Sequence, residues 1–263
     1  MTTIRNIEVT VVEQNEELQP GPSALARILP NAITASALCA GLVSVHLSVE
    51  GRYDMALGAI IVSAILDGLD GRVARKLGSC SRFGAEFDSL ADFLSFGIAP
   101  IVLLYCWSGD QMTVAVGLCF MTFALGSALR LARFNSNLDE PAAPWRRAYF
   151  TGMPTPSAAL AVLLPVSLID PSPATMNLIG LYAAFIAVLM VSNIPTFSGK
   201  KLGFGGRGKK RLVLETVALL VIVLFAIYPR EIMVIALSGY LASIPVSWYT
   251  FRASLKSEDA LRM

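Results

Sequence analysis

The sequence predicts an all-α fold, a polytopic membrane bundle of about eight spans, and two observations predict it. Of the 263 residues, 55% are hydrophobic and only 15% charged, at a mean hydropathy of +0.63. A soluble domain carries nearer about 25% charge. Apolar stretches long enough to cross a bilayer also follow one another along the whole chain, with short polar breaks. The net charge of +2 offers no electrostatic footing for nucleic acid, and no nucleic-acid partner is expected.

Residues 1–22 are polar, include Glu13, Glu16 and Glu17, and lack the basic start and apolar core of a cleavable signal. They are expected to form a tail. Residues 23–30 (SALARILP) predict a short interfacial helix leading to Pro30-Asn31. Spans are expected at roughly 31–49, 54–77, 82–107, 112–134, 155–170, 175–194, 212–228 and 232–250. The Gly78-Ser79 turn is so short that the second and third spans must form an antiparallel pair. Polar breaks fall at 135–153, at the DPSP turn 170–173, at the basic loop 198–211 and at Tyr228-Pro229-Arg230-Glu231. Residues 23–250 thus read as one membrane domain, and 251–263 as a C-terminal tail.

Threading eight spans puts the N-terminus, the 78–81 turn, loops 135–153 and 195–211, and the C-terminus on one side. That side holds all of the 21 lysines and arginines except Arg52 and Arg230. By the bias of positive loops to the cytoplasm, the chain is expected in the cytoplasmic membrane with this side inward. The cysteines Cys39, Cys80, Cys106 and Cys119 show no CxxC pair or zinc spacing and read as packing residues. With the one histidine, His46, near the end of the first span, neither a histidine metal site nor a Ser-His-Asp triad is expected.

Chemistry concentrates in residues 67–92, DGLDGRVARKLGSCSRFGAEFDSLAD. Asp67 and Asp70 are three apart and Asp88 and Asp92 four apart, so each pair shares one helical face. Gly84 joins the stripe of Asp88 and Asp92, while Gly71 and Ala74 leave backbone open to a ligand. One aspartate at the centre of a span costs about 2.5–3.5 kcal/mol, and four together roughly 10–14 kcal/mol by simple addition. Oxygen donors at this density suit a hard divalent cation such as Mg²⁺, Mn²⁺ or Ca²⁺. The bland alternative, solvated loop acids between two helices, accounts for neither the helical spacing nor the glycines. Arg72, Arg75, Lys76 and Arg82 lie close by and suit a phosphorylated ligand. Arg75 is placed to clamp a phosphate, whereas Lys76 and Arg82 read as ordinary anchors at the positive face.

The pattern D-x-x-D-G-x-x-A-R, eight residues, G-x-x-x-D-x-x-x-D resembles the signature of the CDP-alcohol phosphotransferases. It is complete here as Asp67, Asp70, Gly71, Ala74, Arg75, Gly84, Asp88 and Asp92. The resemblance implies a pair of divalent metal ions, Mg²⁺ or Mn²⁺, on Asp67, Asp70 and Asp88. It makes Asp92 both a ligand and the base for the acceptor hydroxyl. It also implies nucleotide or CDP-lipid contacts at Asn31, Thr34, Gly71, Ala74, Arg75, Ser81 and Gly84.

The stretches LPNAITASALCAGL, FGAEFDSLADFLSFGIAP, ALRLARFN, YFTGMPTPSAA and LMVSNIPTFSGK are similar to the phosphatidylserine synthase branch of that family. This similarity covers roughly residues 28–200. It implies CDP-diacylglycerol and L-serine as substrates, membrane lipids as surroundings, and a homodimer as the assembly. Arg130 and Arg133, with Asn135 nearby, are the candidates to bind the serine carboxylate; anchoring of the span is the competing reading.

A sister enzyme using glycerol phosphate or an inositol phosphate is the first alternative. A divalent-cation transporter is the alternative of another class, and it would need carboxylates near the midplane with access from both faces. Residues 203–209 (GFGGRGK) match a loose phosphate-loop spacing, but Lys210 stands at the Ser/Thr position and no strand precedes. That loop reads instead as a polybasic segment meeting anionic headgroups.

Overall fold

The computed structural model describes residues 23–136, 149–192 and 194–197, with isolated positions 234, 235, 238, 239 and 243. The N-terminal tail, loop residues 137–148, the basic loop with its GFGGRGK stretch, and the C-terminal tail lie outside the described residues. So do the seventh and eighth expected spans, apart from those isolated positions.

Helix α1, Ala24–Val49, begins where the Ser23 hydroxyl accepts a hydrogen bond from Ala26 N at 3.3 Å. It runs unbroken through Pro30. The expected separate interfacial helix at 23–30 is therefore corrected: this segment forms the opening turns of α1. Pro30 removes one backbone donor near the helix start, and the helix tolerates that loss. After a turn at Gly51 (φ 76°), α2, Tyr53–Leu77, returns along α1 in the most extensive helix pairing among the described residues.

Gly78 ends α2 in a left-handed conformation (φ 60°), where Ser79 N donates to Ala74 O at 3.0 Å. Ser81 then caps α3, Arg82–Asp92, its Oγ accepting from Gly84 N at 3.0 Å. The third expected span is one apolar rod, but it is not uniform. It passes from α3 through a π-helical turn, Phe93–Ile98, into α4, Ala99–Ser108. Helix α5, Val114–Ser136, follows. The fifth expected span is shorter than read from the sequence and breaks at Leu163, giving α6, Thr155–Val162, and α7, Leu164–Leu168. Helix α8, Pro173–Val191, opens on a capping box at Ser172 and Thr175.

The all-helical expectation has one small exception. Strand β1, Tyr149–Thr151, pairs antiparallel with β2, Pro195–Phe197, with Phe150 opposite Thr196.

Among the described residues, four helical stretches are long and apolar enough to cross a membrane: Ala24–Val49, Arg82–Gln111, Val114–Ser136 and Pro173–Val191. These make the chain an integral membrane protein. Helix α2 has the length, but its last turns carry Asp67, Asp70, Arg72, Arg75 and Lys76. The core lies between α2, the π-helical turn, α4, α5, α6 and α8, around Ile60, Phe96, Leu103, Phe120, Phe123 and Ile186, with Val45 and Leu47 of α1 packed against it. Small residues bring helices close, as where Gly126 of α5 faces Ala187 of α8. Apolar side chains also face outward: Leu118, Met121, Leu181 and Val188 are 58–66% exposed, as a lipid-facing surface requires. The polar contacts described next join the ends of α2, α5 and α8 to the starts of α1, α3 and α6, so one end of the bundle carries the site.

Candidate active site

Two helices supply the acids. Asp67 and Asp70 project from the last turns of α2, and Asp88 from the middle of α3. Carboxylate oxygens of these three residues all lie within 4.8 Å of one another. Asp92, one turn further along α3, joins them in lining a small enclosed space with Ser63, Ser95 and Phe96. Thr155, at the start of α6, donates from Oγ1 to Asp92 Oδ2 at 3.4 Å.

Asp70 is the most enclosed of the four, at 5% exposure. Its Oδ2 accepts from Thr34 Oγ1 at 2.5 Å, and its Oδ1 accepts from the backbone of Gly71. Carboxylates this close repel one another by about 4 kcal/mol per pair at an effective dielectric of about 20. An oxygen-only set of acids fits a hard divalent cation, which would remove that repulsion.

Beside the acids opens a cavity of about 160 Å³ that reaches the α2–α3 turn. Every residue expected to touch a nucleotide lines it: Asn31 and Thr34 from α1, Gly71, Ala74 and Arg75 from α2, and Ser81 and Gly84 at the start of α3. Asp70 and Asp88 form its acidic wall.

The glycines make room. A Cβ on Gly71 would stand 3.3 Å from Arg75 Nη1, so the guanidinium folds back across a bare backbone. A Cβ on Gly84 would stand 3.3 Å from Asn31 Oδ1 and 3.2 Å from Ser81 Oγ. Glycine there lets the N-terminal turns of α1 and α3 meet over the cavity.

The three residues expected at the acceptor lie apart from this cavity, at the end of α5. Arg130 reaches the turn before α6, with Nη1 3.3 Å from where a Cβ on Gly152 would stand. Arg133 Nη1 donates to Val191 O at 3.3 Å. Asn135 is engaged with α3: its Nδ2 donates to Glu86 Oε2 and its Oδ1 accepts from Ser89 Oγ, both at 2.9 Å.

Sequence reasoning missed Pro30, Ser79, Cys80 and Ala85 as cavity residues. It also missed Thr155 as the partner of Asp92 and the Glu86 and Ser89 contacts of Asn135. The one available signal for Thr155 was its place in the GMPTP stretch; the others have no local signature.

A helical membrane bundle with a carboxylate cluster that could hold a metal ion, set against a cavity at one end, defines a membrane protein with a candidate cation site. The sequence pattern described as CDP-alcohol phosphatidyltransferase matches residues 27–246, and the chain belongs to that family. A relative from Helicobacter pylori, named CDP-diacylglycerol–serine O-phosphatidyltransferase, is 35% identical over 230 residues, covering 84% of this chain and 91% of the relative. A protein of the same name from Mycobacterium leprae is 45% identical over 139 residues, covering 52% of this chain but 46% of the relative. This chain thus spans about half the length of the mycobacterial relative. One from Methanocaldococcus jannaschii, again of that name, is 39% identical over 136 residues, 51% of this chain and 60% of the relative.

Proposed function

We propose that this protein transfers the phosphatidyl group of CDP-diacylglycerol to the hydroxyl of L-serine, giving phosphatidylserine and CMP. The observation that carries the reading is the closeness of the Asp67, Asp70 and Asp88 carboxylates, within 4.8 Å, at the wall of a cavity lined by Asn31, Arg75 and Gly84. Membership of the family and the names of its relatives support the acceptor.

Asp67, Asp70, Asp88 and Asp92 would hold a divalent metal, Mg²⁺ or Mn²⁺ and two ions by family resemblance, whose charge would offset that of the pyrophosphate. Arg75 lies across Gly71, where its guanidinium meets phosphate oxygens at the cavity mouth. Asp92 takes the proton of the serine hydroxyl. The serine oxygen then forms a bond to the lipid-side phosphorus, the bond from that phosphorus to the bridging oxygen breaks, and CMP leaves with the bonding electrons. Thr155 donates to Asp92 Oδ2 and so helps orient the proposed base. Arg130 stands at the turn just before Thr155, which supports it as the partner of the serine carboxylate. Arg133 and Asn135 lie on the same last turns of α5 and are proposed to assist it.

The proposal includes the eight-span arrangement, with the site facing the cytoplasm in the inner membrane. The lipid tails stay in the bilayer while serine arrives from water. A homodimer is proposed on family resemblance alone.

The test is CMP release by purified protein from CDP-diacylglycerol with Mg²⁺ or Mn²⁺, offering L-serine, glycerol phosphate and inositol phosphate separately. Release with serine alone, abolished in Asp92→Asn, is expected. Arg130→Ala should raise the serine KM by about 10-fold or more, the scale of a charge-assisted hydrogen bond, without moving the CDP-diacylglycerol KM. Release with another acceptor would keep the family and discard the serine assignment.

A further inference from the structure

We propose that Ser79 is a nucleobase-binding residue, its hydroxyl bonding the edge of the base at the loop end of the cavity. The inference rests on the nucleotide reading of that cavity given above. Ser79 is 8% exposed, and its Oγ is buried without a hydrogen-bond partner in the ligand-free protein. Buried hydroxyls almost always have partners, and one that lacks them is costly. Alanine would avoid that cost at no loss to the turn. Ser79 is held there by its backbone, whose N–H donates to Ala74 O at 3.0 Å. Its side chain is therefore not needed to close the α2–α3 connection.

Three other buried hydroxyls lack partners among the described residues, Ser44, Ser127 and Ser167, and none of them lines this cavity. Ser79 does. The cavity extends from the carboxylates of Asp70 and Asp88 to the turn at 79–81. Along its wall α2 rises about 10 Å from Asp70 to Leu77. A diphosphate fixed at the acidic end therefore sends its nucleoside towards the turn. A serine hydroxyl both donates and accepts, so it can serve a ring nitrogen, a carbonyl or an exocyclic amino group on a pyrimidine edge.

The experiment compares the full-length protein with Ser79→Ala, measuring CMP and ribose phosphate binding by titration calorimetry and the Tm of each ligand-free protein. The variant is expected to bind CMP about 3–10-fold more weakly, the worth of one hydrogen bond, and ribose phosphate equally well. Its ligand-free Tm is expected to equal or exceed that of the parent, because the orphaned hydroxyl is gone. Unchanged CMP affinity would overturn the assignment, and so would an equal loss for both ligands. If the parent protein binds no CMP, the nucleotide reading of the cavity fails first and this inference falls with it.

Discussion

At Asp70 a carboxylate has been taken out of water and must find its donors in the protein. It finds two, the Thr34 hydroxyl at 2.5 Å and the amide of Gly71. Each fixes a different oxygen, so the plane of the carboxylate is set before any cation arrives. Thr34 thus acts as a positioning residue for a proposed metal ligand, beyond the nucleotide contact expected of it. Thr34→Val keeps the shape and deletes the donor. A hydrogen bond to a charged group is worth about 1.5–3 kcal/mol. The variant should therefore lose roughly 10–100-fold in CMP release and need more Mn²⁺ for half-maximal activity. Activity and Mn²⁺ requirement equal to the parent's would mean that Asp70 is oriented without Thr34.

Element by element, the rod from Arg82 to Ser108 shows what packing adds to helical spacing. Between α3, which carries Asp88 and Asp92, and α4, which fills the core, the chain widens into a π-helical turn at Phe93–Ile98. Such a turn uncouples the rotation of α3 from that of α4. The face carrying the acids is instead set by contacts on either side of it. On one side α1 comes so near that a Cβ on Gly41 would stand 3.0 Å from both Cα and Cβ of Ser95. On the other, Asn135 bridges Glu86 and Ser89. Gly41→Ala should force α1 off the π-helical turn, at about 1–3 kcal/mol for overpacking, with a lower Tm in detergent and reduced CMP release. An unchanged Tm would show that α1 yields without consequence.

The acids themselves were legible from local spacing, since positions three or four apart share a helical face. Of the cavity residues, Gly71, Ala74, Arg75 and Gly84 were legible from the family signature and Asn31, Thr34 and Ser81 from the wider resemblance, whereas Pro30, Ser79, Cys80 and Ala85 were not. Thr34–Asp70, Ser89–Asn135 and Thr155–Asp92 were not, because each bond joins residues 36 to 63 positions apart that only helix packing brings together. The π-helical turn was invisible for a related reason: FLSFGI carries no proline, its single glycine, Gly97, does not by itself specify such a turn, and Gly41 and Ser127 press on it from neighbouring helices.

For the whole molecule the question is which way the bundle faces. The end with the acids also carries Arg72, Arg75, Lys76, Arg82, Arg130 and Arg133. The opposite end carries Glu50, Asp54, Asp110 and Asp170, and the single arginine described there, Arg52, sits 3.4 Å from Glu50. The bias of lysine and arginine to the cytoplasmic side supports the proposed orientation, in which the proposed serine acceptor would come to Asp92 from the cytosol. Two exposed positions separate the ends cleanly, Cys80 in the α2–α3 turn and Asp110 in the α4–α5 turn. With Cys39, Cys106 and Cys119 replaced by alanine, a membrane-impermeant maleimide should label Cys80 in inverted vesicles and not in intact cells. After Cys80→Ala, Asp110→Cys should label in intact cells and not in inverted vesicles. The opposite pattern would turn the site outward and leave the proposed serine route without a source. Labelling of both positions from one side would contradict the separation of the two ends itself.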